Sequence, residues 1–171
     1  MTDTPTPAPR SRQARTALVL ASVSLVLSLV ACAVVAFADF DLLPVQSKPT
    51  EATAGQVEAV AHVTLPPGTV LLAAAYSNGL ETRLSAKFRF PRTALDPFVA
   101  AAKFTAPVTP GLRAVTAAQN VGGGNLFDPD AAVSVSGIKE DQPTADGTYR
   151  SALFGLDAPD TVTVYLYASR G

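Results

Sequence analysis

The sequence predicts an α+β chain in which one N-terminal transmembrane helix is followed by a small antiparallel β-sheet domain with one short helix. Three observations predict it. Thr16–Ala38 is a 23-residue stretch free of charge and proline. Leu80–Phe90 has period two, with Leu80, Thr82, Leu84, Ala86, Phe88 and Phe90 on one face and Glu81, Arg83, Ser85, Lys87 and Arg89 on the other. Asp96-Pro97 opens a short apolar stripe of helical spacing.

The N-terminal region divides by composition. Residues 1–15 are rich in Thr and Pro and carry Arg10, Arg12 and Arg15; with so little to bury, they read as a disordered basic cytoplasmic tail. At about 1.5 Å rise per residue, Thr16–Ala38 would reach roughly 35 Å as a helix, enough to cross a hydrocarbon layer of about 30 Å. Arginines precede it and Asp39 and Asp41 follow. The positive-inside rule then sets the N-terminus in the cytoplasm and the rest outside the membrane. A signal anchor is the leading reading, because the run exceeds an ordinary secretory h-region. Two processing sites compete with it. Ala36-Phe37-Ala38 fits signal cleavage after Ala38, and Leu29-Val30-Ala31-Cys32 is similar to a bacterial lipobox, making Cys32 a candidate for lipidation. The apolar residues after Cys32 depart from that pattern. All three fates export the domain.

Composition removes several function classes. A charged fraction of 16% and a formal net charge of -1 argue against a nucleic-acid-binding surface. One cysteine allows no internal disulfide, and one histidine, His62, with no tryptophan, leaves little for metal or histidine-dependent chemistry. No cofactor is expected. Plentiful Ala, Pro and Arg with scarce Asn, Lys and Ile suggest a GC-rich bacterial coding sequence.

Residues 39–56 read as a juxtamembrane segment and linker, and 57–171 as the extracytoplasmic domain. Within it Thr69–Ser77 and Leu80–Phe90 flank Asn78-Gly79, a two-residue hairpin signal. That turn sets Tyr76 opposite Glu81, with Leu71, Ala73 and Ala75 on the core face and Val70, Leu72 and Tyr76 beside the charged row. Asp96 as N-cap and Pro97 begin a helix whose stripe is Leu95, Phe98, Val99 and Ala102. Residues 105–132 look irregular around Gly122–Gly124. Further strands are expected at Ala132–Ser136, Thr148–Phe154 and Thr161–Ala168, the last apolar enough on both faces to be an interior strand.

The catalytic motifs searched for are weak. Ser136-Gly137-Ile138-Lys139 matches Ser-x-x-Lys but lacks the helix and the partner motifs of penicillin-binding enzymes. Gly122–Gly124 lacks the strand, helix and Lys-Ser/Thr ending of a phosphate loop. Asp128-Pro129-Asp130 offers two carboxylates where calcium wants six or more oxygens. No enzyme is expected.

The surface feature kept is a candidate docking surface of Arg83, Lys87, Arg89 and Arg92 with Leu72 and Tyr76, suited to an anionic envelope component or a membrane protein partner. The leading functional expectation is a membrane-anchored, non-enzymatic envelope interaction module. The alternative is a small-ligand or glycan-binding exported module using Tyr76, Tyr149, Tyr165 or Tyr167.

Overall fold

Residues 47–171, the part of the chain described by the computed structural model, form a seven-stranded antiparallel sheet with two short helices. The basic tail, the stretch 16–38 with Cys32 and Ala36-Phe37-Ala38, and residues 39–46 lie outside the described residues. In chain order the elements are β1 (Thr50–Glu51), α1 (Ala54–Ala61), β2 (Val70–Ser77), β3 (Thr82–Pro91), α2 (Leu95–Ala102), β4 (Thr109–Pro110), β5 (Val135–Lys139), β6 (Tyr149–Gly155) and β7 (Thr161–Arg170). Across the sheet they run β1-β2-β3-β7-β6-β5-β4. Both edge strands are two residues long, and very short edge strands are one device by which sheets avoid templating another chain.

Alternation decides the layers. On β3, Leu84, Ala86, Phe88 and Phe90 are buried, as are Val162, Val164, Leu166 and Ala168 on β7. With Ile138, Ala152 and Phe154 they form one core with Val57 and Ala61 of α1 and Phe98 and Ala102 of α2. Phe98 is its hub, with ring centroids 5.3 Å from Phe90, 5.9 Å from Phe88 and 6.4 Å from Phe154. The other face carries a smaller cluster of Val115, Phe127, Ala132, Leu153 and Tyr165, in which the irregular segment after β4 packs on β6 and β7. β7 lies between β3 and β6, the interior place its two apolar faces predict.

The β2–β3 hairpin forms, but not in the expected register. Ser77 pairs with Arg83 and Tyr76 with Leu84, three residues from the two-residue-turn pairing. Asn78 explains the shift. Its N–H donates to Ser47 Oγ (2.7 Å) and its carbonyl accepts from Ser47 N–H (3.0 Å). Bonded to Ser47 on both its N–H and its carbonyl, Asn78 does not take up the positive φ that a tight turn needs, and neither does Gly79. A shift by an odd number exchanges faces. Ala73 and Ala75 therefore oppose Lys87 and Ser85, while Tyr76 packs on the helix-side core. A bulge between Leu71 and Ala73 restores the expected parity, so Leu71 faces Phe88 and Val70 faces Arg89.

Two helices form instead of the single one expected, and the fold begins within the expected linker 39–56. Thr53 and Gln56 make a capping box: Gln56 N–H donates to Thr53 Oγ1 (3.3 Å), and Thr53 N–H donates to Gln56 Oε1 (2.9 Å). α2 starts at Leu95 rather than at an Asp96 cap, because a 3₁₀ turn, Arg92–Ala94, leads directly into it. The strand expected at 132–136 begins at Val135 instead. The Val133 and Ser134 amides bind the Asp157 carboxylate (3.1 and 2.7 Å), which withdraws them from strand pairing. Gly137 passes so close to the chain that an added Cβ would lie 2.3 Å from the Leu112 carbonyl oxygen.

Arg150 lies on the helix-side face of β6, with its side chain 3% exposed beside a fully buried Glu140. Its Nε and Nη2 donate to the two Glu140 oxygens, both at 2.7 Å. Nη1 also reaches the carbonyls of Ala61 (3.4 Å), His62 (3.2 Å) and Ala102 (2.9 Å), and Nη2 that of Lys103 (3.3 Å). The last carbonyls of a helix lack intrahelical donors and carry the negative end of its dipole. One guanidinium thus closes the C-termini of both helices. Phe104 stacks on it, with the ring centroid 4.6 Å from the guanidinium carbon. Glu140 also accepts from the Thr105 amide (2.7 Å) and hydroxyl (3.2 Å). Burial by itself would push the Glu140 carboxyl up, but the Arg150 guanidinium and the Thr105 donors outweigh it and hold its pKa below the ordinary value of 4.5.

Two outcomes follow. Arg150→Met leaves a buried carboxylate and four carbonyls without their donor and lowers stability by about 3–5 kcal/mol in chemical denaturation, whereas Arg150→Met with Glu140→Leu regains most of it. Because the folded pKa of Glu140 is depressed, its contribution is complete above pH 4.5 and is lost as pH falls through the lower folded value. Denaturation midpoints of the native chain fall toward acid, and Glu140→Gln removes that part of the slope.

Candidate functional site

Period two along β3 sets Arg83, Lys87 and Arg89 on the face away from the helices, opposite Ser77, Ala73 and Val70 of β2 and Ser169, Tyr165 and Thr163 of β7. Each cation has a different situation. Arg83 Nε donates to the Tyr167 hydroxyl (3.3 Å) and lies 4.0 Å from Glu81. Lys87 pairs with Asp128 and sits 5.2 Å from the Tyr165 ring centroid, and the Tyr165 hydroxyl donates to Asp128 (3.3 Å). Burial pushes the Asp128 carboxyl up, yet the Lys87 ammonium brings it below its ordinary value. Burial, followed by the Asp128 charge, pushes the Tyr165 phenol well above its own. Arg89 is exposed and has no hydrogen bond or ion pair among the described residues.

The other two members of the candidate surface separate from this row. Arg92 turns to the β6–β7 connection and donates to the carbonyls of Leu156 (3.3 Å) and Ala158 (3.2 Å). Tyr76 packs on the opposite, helix-side face. Leu72, at the β2 bulge, stays with the row at 38% exposure beside Val70 at 51%. Leu72, Lys87, Arg89, Asp128, Asp157 and Tyr165 line one cavity of about 320 Å³. A neighbouring groove of about 350 Å³ shares Leu72 and runs between Ala73 and Ala75 of β2 and Gly122 and Leu126.

The remaining sequence candidates have structural roles. Ser136 and Lys139 are an odd number of residues apart on β5 and point to opposite faces. The glycine run is a loop that lies over β2 and is fastened to β3: Val121 N–H donates to Ser85 Oγ (3.0 Å), and within the loop Asn120 Nδ2 donates to the Gly124 carbonyl (3.1 Å). Asp128-Pro129-Asp130 opens a 3₁₀ turn, with Asp128 directed to Lys87. Of the tyrosines, Tyr165 is 4% exposed and Tyr149 is 48% exposed. With Tyr76 on the other face, they do not gather in one open cleft. Among the described residues no group of three or more His, Cys, Asp or Glu side chains could hold a metal ion.

Sequence reasoning missed two polar clusters. One is Arg150 with Glu140, for which a signal existed: Arg150 takes a core-facing position in step with Ala152 and Phe154, where an arginine is out of place unless paired. The other is His62 with Asp146 and Arg170, joined across 84 and 24 residues of chain, for which no local signal exists. Comparison of the chain with models of known protein families, with curated proteins and with solved structures gives no match.

The glycine loop supplies a test of how the grooved face is built. An added Cβ on Gly122 would lie 2.6 Å from Ala75 Cβ. Gly122→Ala should lift residues 120–127 from β2 and speed their amide exchange at a cost of about 1–3 kcal/mol. Ala75→Gly in the same chain should restore protection by removing the opposing methyl group.

Proposed function

We propose that this chain is a single-pass membrane protein, N-terminus cytoplasmic, whose domain acts outside the cytoplasm as a non-enzymatic interaction module of the cell envelope. The uncharged stretch 16–38, with arginines before it and aspartates after it, supports the location. Among the described residues no helix is long and apolar enough to cross a membrane, so the anchoring rests on that stretch. One observation carries the interaction reading: the unpaired, exposed Arg89 shares a cavity with the exposed Leu72. An exposed cation beside apolar surface suits an anionic group on another envelope component, contributing a charge-assisted contact and some desolvated area. Lys87 and Arg83 adjoin it, already balanced by Asp128 and by Tyr167 with Glu81. Binding is favoured over catalysis because the two members of the sequence's Ser-x-x-Lys match, Ser136 and Lys139, point to opposite faces of the sheet.

The experiment is photo-cross-linking in intact cells, with a photoreactive residue in place of Leu72 in the full-length chain. The expected result is one discrete adduct whose yield Arg89→Glu lowers roughly tenfold, the scale of one charge-assisted hydrogen bond. An absent adduct, or one indifferent to Arg89→Glu, contradicts the reading.

A further inference from the structure

Among the described residues only His62 and Lys103 are non-glycine residues at positive φ, each at 50°. Each ends a helix, His62 after α1 and Lys103 after α2. Glycine is the residue that such a left-handed stop favours, because any Cβ there crowds the following carbonyl. The same conformational cost is borne twice, and both side chains arrive at the same place. Arg150 brings them there, since its guanidinium binds the carbonyls of both residues, His62 at 3.2 Å and Lys103 at 3.3 Å. His62, Lys103, Ala101, Thr144, Asp146 and Arg150 line one open cavity of about 450 Å³.

The charges around this cavity are ordered. Asp146 Oδ2 lies 2.9 Å from His62 Nε2 and accepts from Arg170 Nη1 at 2.7 Å, while Oδ1 accepts from the Thr144 hydroxyl at 2.5 Å. The Thr144 hydroxyl and His62 hold the Asp146 carboxyl far below the usual carboxylate range, and it is ionised throughout the physiological range. Its charge is committed to orienting His62 and Arg170. Arg150 is balanced by Glu140. Lys103 has no ion pair among the described residues. The wall therefore carries an excess positive charge even with His62 neutral.

We infer that Lys103 and His62 form a binding site for a small oxyanion, a phosphate or a carboxylate group. The site uses the free ammonium of Lys103 and, when the ring is protonated, the Nδ1–H of His62, whose Nε2 Asp146 holds; Arg170, paired with Asp146, adjoins it. It lies on the helix side of the sheet, opposite the Arg89 cavity, and does not depend on the docking reading. Left-handed stops occupied by histidine and lysine rather than glycine are conformational strain exchanged for side chains at a binding site.

His62 is the single histidine of the chain, so its ring resonance is an unambiguous probe in the full-length protein in detergent micelles. The ring signal is followed by NMR while sodium phosphate, sodium acetate or sodium chloride is added at fixed pH and ionic strength. The expected result is a saturating shift with phosphate or acetate but not chloride, and the responding anion identifies the ligand class. Lys103→Gly should weaken that binding at least about tenfold, the scale of one charge-assisted contact, while leaving Tm unchanged or raised, since glycine relieves the left-handed backbone. Shifts that fail to saturate with every anion overturn the site. So does saturating binding that Lys103→Gly leaves intact, or a lowered Tm in that variant, which would make the lysine a structural residue.

Discussion

The guanidinium of Arg150 is the constraint on which the helix-side layer depends. It extends from the central part of the sheet, is neutralised by the fully buried Glu140, and donates to the terminal carbonyls of both helices. Each helix is eight residues long, too short to hold its own shape in water. Packing on Phe88, Phe90 and Phe154 supplies the apolar attraction. Apolar contact is non-directional, however, and would tolerate sliding. The bidentate ion pair and its carbonyl contacts are directional, and they fix where α1 and α2 stop. Residues 62 and 103 thereby come to line one cavity, although 41 positions apart in sequence.

The two sheet faces are consequently different surfaces. The helix side is an aromatic core sealed at one end by a charged cluster. The other side is a thinner layer in which Phe127 meets Tyr165 edge-on at 5.6 Å and the glycine loop lies directly on β2. That thin layer leaves grooves on either side of Leu72 and exposes Arg89, whereas the helix side carries the cavity beside His62. A domain with short, blunted edges and two differently built faces suits contact through its faces rather than by adding strands to its sheet.

What could be read from sequence was local. Alternation in Leu84–Phe90 and Val162–Ala168 gave the inward faces of the two central strands directly, and Pro97 with Phe98 marked α2. The hairpin register could not be read that way, because Asn78-Gly79 is a strong local signal overruled by Ser47, some thirty residues upstream. The inward and outward faces of Ala73, Ala75 and Tyr76 followed that register and exchanged with it, and Tyr76 left the basic row for the core. α1 was legible in principle: Thr53-Ala54-Gly55-Gln56 spells a capping box, but the neighbouring Pro49 and Gly55 made the segment read as linker. For the candidate surface, the sequence grouped Arg83, Lys87 and Arg89 on one face, which follows from period two. Whether each cation was free or paired depended on Asp128, Tyr165 and Tyr167, distant partners that only the fold brings close.

The proposed role joins a domain with two unlike faces to a short tether, and its central claim is that the domain is anchored outside the cytoplasm by Thr16–Ala38. The most direct measurement is the intact mass of the mature protein from the membrane fraction, combined with protease treatment of sealed spheroplasts. The account predicts a mass that retains Arg10, Arg12 and Arg15, with the domain digested from outside while the N-terminal tail is protected. A mature chain beginning at Asp39 or at an acylated Cys32, or a domain shielded from external protease, would contradict it.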